Sequence, residues 1–205
     1  MAAIITIGRE FGSGGREFAR LLSERLGIPA HDRSVIAEIA QRTSFAEEYV
    51  RGIVERTPQR PVLPFLPGGQ GVFFDGHAEM PAESVYRAQR EAVLFLADHA
   101  PCIIVGRCAD YILRERATLR VFLYADLESR VRRCLERQPE GENHSEREMR
   151  QLVQRMDRER ARYYDFYTGA TWGDRANYDL CLNTSSLSLA SAVDIVEAAL
   201  KGRGA

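Results

Sequence analysis

The chain has 205 residues, 45% of them hydrophobic, which suits one domain with a sizeable core and is short for two. Its 28 Lys and Arg residues against 29 Asp and Glu leave a formal net charge of −1, so nothing in the charge balance calls for a nucleic-acid partner. Every basic residue except Lys201 is an arginine, so a cation in a site on this protein is expected to be a guanidinium, suited to bidentate contact with phosphate or carboxylate.

In chain order, the apolar run Ile4–Ile7 predicts a short buried strand. Arg16 to Leu26 predicts a helix, with Phe18, Ala19, Leu21, Leu22 and Leu26 on one face and Gly27 as its stop. "IPAHD" gives a brief strand ending at Asp32, and Ser34 to Arg42 a second helix. Thr57 to Pro81 holds Pro58, Pro61, Pro64, Pro67 and Pro81 together with "PGGQG", which reads as a loop or mobile insert. Beyond it come a helix from Glu83 to His99, strands at Cys102–Gly106 and Leu119–Ala125, and a helix from Leu127 to Gln138 capped by Asp126. An arginine-rich helix from Glu146 to Tyr164, a strand within Tyr178–Ser185 and a helix from Leu189 to Leu200 complete the order. Short apolar strands alternating with helices predict an α/β fold, a mainly parallel sheet covered on both faces. Ligands of such sheets bind at the carboxyl ends of the strands, which directs attention to Arg9–Gly15, Asp32, Gly106-Arg107 and Asn183-Thr184.

No apolar run approaches the ~18 residues of a membrane span, and the opening run leads straight into glycines rather than into a cleavage site. Cys102, Cys108, Cys134 and Cys181 form no CxxC pair. A reduced cytoplasmic protein without a disulfide framework is the expectation. His31, His77, His99 and His144 are scattered, with no metal-ligand spacing and therefore no predicted metal site.

The loop "GREFGSGGREF" has the layout of a phosphate cradle: a strand, then Gly12, Ser13, Gly14 and Gly15, then a helix N-terminus. Against the pattern G-x-x-x-x-G-K-[ST] it departs at three positions. Arg9 stands at the first glycine, Gly15 at the lysine and Arg16 at the magnesium-binding hydroxyl. A glycine turn that only packs a helix on a sheet has the same layout, and the loop by itself leaves both readings open. Arg107, at the end of a strand, has Asp110 one turn later. The arginines of residues 130–162 either face solvent in i,i+4 pairs or clamp a transferring phosphoryl group. The stretch Tyr163–Tyr178, with Tyr164, Tyr167 and Trp172, either packs around a connection or forms a dimer face or base-stacking wall.

Over nearly its whole length the chain resembles the P-loop nucleoside monophosphate kinases, and most of all the cytidylate kinase-like family. The resemblance is carried by "ITIGREFGSGGREFARLLSERLGIPAHDR", "IIVGRCADYIL", "LRVFLYADLESRVRRCLERQ" and "MDRERARYYDFYTGATWGDRANYDLCLNTSSLS". It implies a three-layer P-loop fold with a five-stranded parallel sheet, one domain over residues 1–205, a mobile acceptor-binding insert at 43–80 and lid-type helices at 126–162. It also implies transfer of the ATP γ-phosphoryl group, with Mg2+, to a nucleoside monophosphate such as CMP or dCMP. The residues carry over as follows: Gly12 to Arg16 cradle the donor phosphates, and Asp32 and Arg107 face the acceptor. Arg133 and Arg137 close over the donor, and Arg160, paired with Asp157, faces the transferring group. Arg16, with Arg9 as second candidate, is expected to replace the missing lysine's charge. The implied partners are nucleotides, with no nucleic acid, no membrane and a possible homodimer.

Overall fold

The computed structural model describes residues 3–43, 47, 50, 81–116, 118–139 and 141–203. Apart from Thr43, Glu47 and Val50, the insert expected at 43–80 lies outside the described residues.

The strands β1 (Ile4–Arg9), β2 (Ala30–His31), β3 (Cys102–Val105), β4 (Thr118–Tyr124) and β5 (Leu180–Asn183) form a parallel sheet in the order β2-β3-β1-β4-β5. β1 lies at its centre, with Ile7 opposite Val105 on one side and Arg9 opposite Leu123 on the other. Alternation along the strands splits the core in two. Ile5, Ile7, Ile103 and Val121 pack on α1 (Gly15–Leu26) and α7 (Leu189–Arg203). Cys102 and Ile104 face α2 (Arg33–Thr43), α3 (Pro81–His99) and the far end of α6 (Glu146–Thr168). Both faces of the sheet's centre are therefore buried, which is why β1, β3 and β4 read as mainly apolar runs. The layering is the expected three-layer α/β arrangement.

The predicted elements recur with ends shifted by a few residues, as helix ends commonly are. Gly27 ends α1 at φ 66°, its N–H donating to Ser23 O at 2.9 Å. Asp126 caps α5 (Leu127–Glu136), accepting from Ser129 N at 2.7 Å. Ser145 and Glu148 make a reciprocal capping box at the start of α6. α5 and α6, the helices expected to form the lid, pack on each other through Val131, Met149 and Val153, with Phe11 of the loop against them. Two elements were not foreseen: α4 (Ala109–Ile112) and a 3-10 turn at Arg175–Asn177. Four residues are too few to show a helical period. No helix among the described residues is long and apolar enough to cross a membrane.

The aromatic stretch enters the core. Tyr163, Tyr164 and Tyr178 are buried, and Phe122, Trp172 and Tyr178 pack ring against ring, while Phe166 is half exposed. Gly8 makes this packing possible. A Cβ there would come within 2.7 Å of the Phe122 ring and 3.0 Å of the Tyr178 ring. Gly8→Ala should therefore cost about 1–3 kcal/mol by overpacking, measured as a lower urea midpoint at unchanged m-value. An unchanged midpoint would contradict this packing account.

Candidate active site

The loop between β1 and α1 must place its carbonyls somewhere, because buried backbone acceptors need partners. All six carbonyls from Arg9 to Gly14 accept hydrogen bonds, and most of the donors come from α5, α6 and the end of β5. Arg160 donates to Arg9 O at 3.1 Å, Arg130 to Phe11 O at 3.4 Å and Arg133 to Gly12 O at 2.6 Å. Thr184 donates its hydroxyl to Ser13 O at 2.8 Å. Ser13 itself closes on Glu10 O at 2.9 Å, and Phe18 N bonds Gly14 O at 2.9 Å. The first intrahelical bond of α1 is thus made by Phe18, and the amides of Gly15, Arg16 and Glu17 precede it. Such first-turn N–H groups have no intrahelical acceptor and carry the positive end of the helix dipole. Gly12 and Gly14 make this possible with φ of 81° and 88°, a region that other residues enter only under strain.

Asp157 anchors the loop from α6. It accepts from Phe11 N at 2.7 Å and pairs with Arg130, whose side chain is only 10% exposed. Arg160 lies 3.8 Å from the same carboxylate and stacks over the Phe11 ring. Arg133 also reaches Thr184 O at 3.0 Å; burial, with Arg137 nearby, lowers its pKa. Arg137, half exposed, pairs with Glu17 at 2.5 Å. Glu10 turns back from the loop to accept from Ala125 N at 3.0 Å and lies 3.4 Å from Arg130.

Arg9 leaves the end of β1 and runs across Gly15. A Cβ at Gly15 would meet Arg9 Cγ at 2.7 Å, and one at Gly106 would meet Arg9 Nη1 at 1.7 Å. The guanidinium faces Asp32 at 3.4 Å, and Arg16 reaches the other oxygen of the same carboxylate at 2.8 Å. The Arg9 side chain is 14% exposed and that of Arg16 67%. Burial, helped by Arg160, pulls the pKa of Arg9 down to about 9, with Asp32 opposing. Burial pushes Asp32 up, but Arg9 and Arg16 outweigh it and leave its pKa below the ordinary carboxylate value. A carboxylate with a depressed folded pKa contributes stability above its unfolded pKa, about 4, and loses it as pH falls through the lower folded value. The stability difference between wild type and Asp32→Asn should accordingly be constant from neutrality to about pH 5 and shrink below about pH 4. A difference that shrinks near neutrality would contradict the pairing.

Two cavities meet here. One, of about 370 Å³, lies against the loop and is lined by Gly12, Gly14, Gly15, Arg133 and Arg137. The other lies beneath the ends of β1 and β3 and is lined by Asp32, Arg107, Asp110, Tyr163 and Tyr178. Arg9, Arg16 and Arg160 line both. Gly106, Arg107 and Cys108 all have positive φ, at 71°, 61° and 53°. This strained turn at the sheet's ligand edge is braced from below: Gln89 donates to Arg107 O at 3.0 Å, and Tyr163 donates to Gln89 Oε1 at 3.2 Å. Asp110 does not pair with Arg107. It is buried and accepts from Tyr164 at 2.6 Å, and burial raises its pKa.

The structure thus brings together Arg9, Gly12, Ser13, Gly14, Gly15, Arg16, Asp32, Arg107, Arg133, Arg137, Asp157 and Arg160. Asp157 sits at the back of the loop, and Arg155 and Arg158 face solvent. The ligand-edge rule pointed to Glu10, Gly106 and Thr184 without giving them roles, and Arg130 stood only among the arginines of residues 130–162. Among the described residues no group of three or more His, Cys, Asp or Glu is placed to hold a metal ion. The residue at the hydroxyl position of the P-loop pattern is Arg16.

With this geometry in hand, comparison with known proteins is decisive on one point. A model of the cytidylate kinase-like family matches residues 4–186. The chain belongs to the cytidylate kinase-like family. Among similar proteins, cytidylate kinase of Methanopyrus kandleri is 28% identical over 210 aligned residues, covering 98% of this chain and 94% of that one. Cytidylate kinase of Thermococcus sibiricus is 35% identical over 130 residues, 62% and 63% of the two chains. An uncharacterized protein from Eubacterium ventriosum superposes with TM-score 0.73 at 26% identity, covering 98% and 99%. Shikimate kinase from Bacteroides thetaiotaomicron superposes with TM-score 0.58 at 14% identity, covering 97% and 98%, a likeness of fold alone. This member of the cytidylate kinase-like family is a phosphotransferase of the nucleoside monophosphate kinase type on a three-layer P-loop kinase fold.

Proposed function

We propose that the protein transfers the γ-phosphoryl group of ATP to a nucleoside monophosphate, with CMP or dCMP as the first choice. The observation that carries this is the loop itself. Its carbonyls from Arg9 to Gly14 are all engaged, and the first-turn amides of α1, which precede its first intrahelical bond, lie beside a cavity lined by Arg133 and Arg137. That is an anion site built in advance, the form catalysis of phosphoryl transfer takes. The family membership supports a nucleotide as donor and acceptor.

In this reading Gly12–Arg16 hold the donor phosphates, and Arg133 and Arg137 close over them. Asp32 and Arg107 hold the acceptor in the second cavity, which Tyr163, Tyr164, Trp172 and Tyr178 also line, an aromatic wall suited to a flat base. Arg160, lining both cavities, faces the group in flight, and Asp157 fixes the loop from behind. Magnesium, bound with the nucleotide phosphates, supplies charge neutralisation. Arg16 stands where the P-loop pattern has its magnesium-binding hydroxyl, so the nucleotide phosphates would hold the ion without a side chain from that position.

A coupled ADP-release assay with Mg-ATP and a panel of nucleoside monophosphates, sugars and small acids tests the reading. CMP- or dCMP-dependent ADP release is expected. Release only with a sugar or acid would make the chain a metabolite kinase, and ATP binding without release for any acceptor would make it a nucleotide-binding regulator.

A further inference from the structure

We infer that Arg9 supplies the cation that bridges the terminal phosphates of the donor, and that residues 15 and 106 are glycine so that its side chain can reach them. The inference deepens the reading of the loop as a donor cradle and rests on it.

In the P-loop pattern the first position is glycine and the sixth residue after it is the lysine. In this chain those two positions are Arg9 and Gly15, and the structure shows that they are exchanged in space as well as in sequence. The Arg9 methylenes occupy the volume in which a side chain at residue 15 would begin, since a Cβ there would lie 2.7 Å from Arg9 Cγ and 3.0 Å from its Cβ. From there the guanidinium runs to the end of β3 and lies directly against Gly106, where any Cβ would overlap Nη1 at 1.7 Å. Two glycines on separate elements therefore clear one path for one arginine. The backbone at its root is fixed, because Arg160 holds Arg9 O at 3.1 Å.

The endpoint of that path is the boundary between the two cavities, both of which Arg9 lines. A phosphoryl group passing from donor to acceptor crosses that boundary. Arg9, Arg16 and Arg107 all act on the carboxylate of Asp32, and Arg160 acts on Arg9; Arg9 is the cation of the Asp32 pair that is shielded from water. Arg16 has a different position: its side chain is mostly exposed, and its Nε holds Asp32 at 2.8 Å. It orients the carboxylate against which Arg9 rests. A buried guanidinium whose carboxylate is shared with a second arginine gains most when a phosphate arrives.

The test is an exchange of the two residues, read by calorimetric binding of ADP and ATP as well as by turnover with Mg-ATP and the acceptor. Arg9→Ala should weaken ADP and ATP binding about 10-fold or more and lower kcat about 100-fold or more, with the thermal midpoint within a few degrees of wild type. Gly15→Lys alone should give a similar loss, because the lysine collides with Arg9. Arg9→Gly combined with Gly15→Lys should recover about 10-fold or more of kcat over either single variant, which a purely structural role for either residue would not produce. Gly106→Ala, which displaces the guanidinium without altering Arg9, serves if the exchange variant does not fold, and should match Arg9→Ala. Wild-type binding and turnover in Arg9→Ala, or a folded exchange variant no better than the single variants, would overturn the inference while leaving the kinase reading intact. A wild-type protein that binds neither ADP nor ATP would overturn the cradle reading and this inference with it.

Discussion

Asp157→Ala is expected to destabilise the protein by about 3–5 kcal/mol, the cost of leaving one partner of a buried ion pair without the other. The pair is Arg130 and Asp157, whose side chains are 10% and 15% exposed. Removal of the carboxylate also orphans the amide of Phe11, now bonded at 2.7 Å, at a cost of about 1–3 kcal/mol within that total. The damage is not confined to stability. Arg130 donates to Phe11 O and lies beside Glu10, so the loop loses amide and carbonyl anchors on the same residue. ATP affinity should fall about 10-fold or more at temperatures where the variant is still folded. Asp157→Asn, which keeps an acceptor for Phe11 but not the charge, should fall between wild type and alanine. Urea unfolding together with ATP titration checks both parts. A variant that lost activity at unchanged stability would show instead that Asp157 acts on the substrate directly.

Gly12→Ala is expected to abolish donor binding, lowering ATP affinity about 100-fold or more, and to cost about 1–3 kcal/mol of stability. Three observations combine. The residue sits at φ 81°, a Cβ would lie 2.8 Å from Arg130 O, and it would lie 2.9 Å from Cys134 Sγ. A thiol can turn aside, but a carbonyl within α5 cannot move without the helix. Since Arg130 and Arg133 of that helix also bind the loop carbonyls, the methyl group pushes α5 and the loop apart. Nucleotide titration and thermal melts measure the two effects. Wild-type ATP affinity in Gly12→Ala would mean that the loop does not close around phosphate in the way described.

The strands and helices were legible because their burial has a period that sequence records. β3, covered on both faces, is a continuous apolar run, β1 and β4 are mainly apolar with Thr6 and Arg120 within them, and the helices show a repeating face. The family resemblance located most of the cluster. The outward turn of the loop carbonyls was not legible, because no residue type signals the direction of its own backbone oxygen. The role of Arg130 was obscured by Arg132 and Arg133 beside it. Helical spacing carries a signal that separates them: Arg130, Arg133 and Arg137 lie three and seven residues apart and share the face toward the loop, while Arg132 is exposed. The partner of Asp110, one turn after Arg107, was not legible either. The positive φ values of residues 106–108 turn the chain between them, and Tyr164, distant in sequence, supplies the partner for Asp110. The missing lysine was the clearest departure in the sequence. What it meant depended on the space above Gly15, which only the fold reveals.

Phosphorus NMR of the protein with Mg-ATP and CMP tests the central claim most directly. The account predicts that the CMP phosphate signal is replaced by the paired α and β signals of CDP as ATP becomes ADP in equal amount. Intact ATP, or ADP accompanied only by free phosphate, with no phosphorylated product from CMP, dCMP or any other acceptor offered, would contradict it.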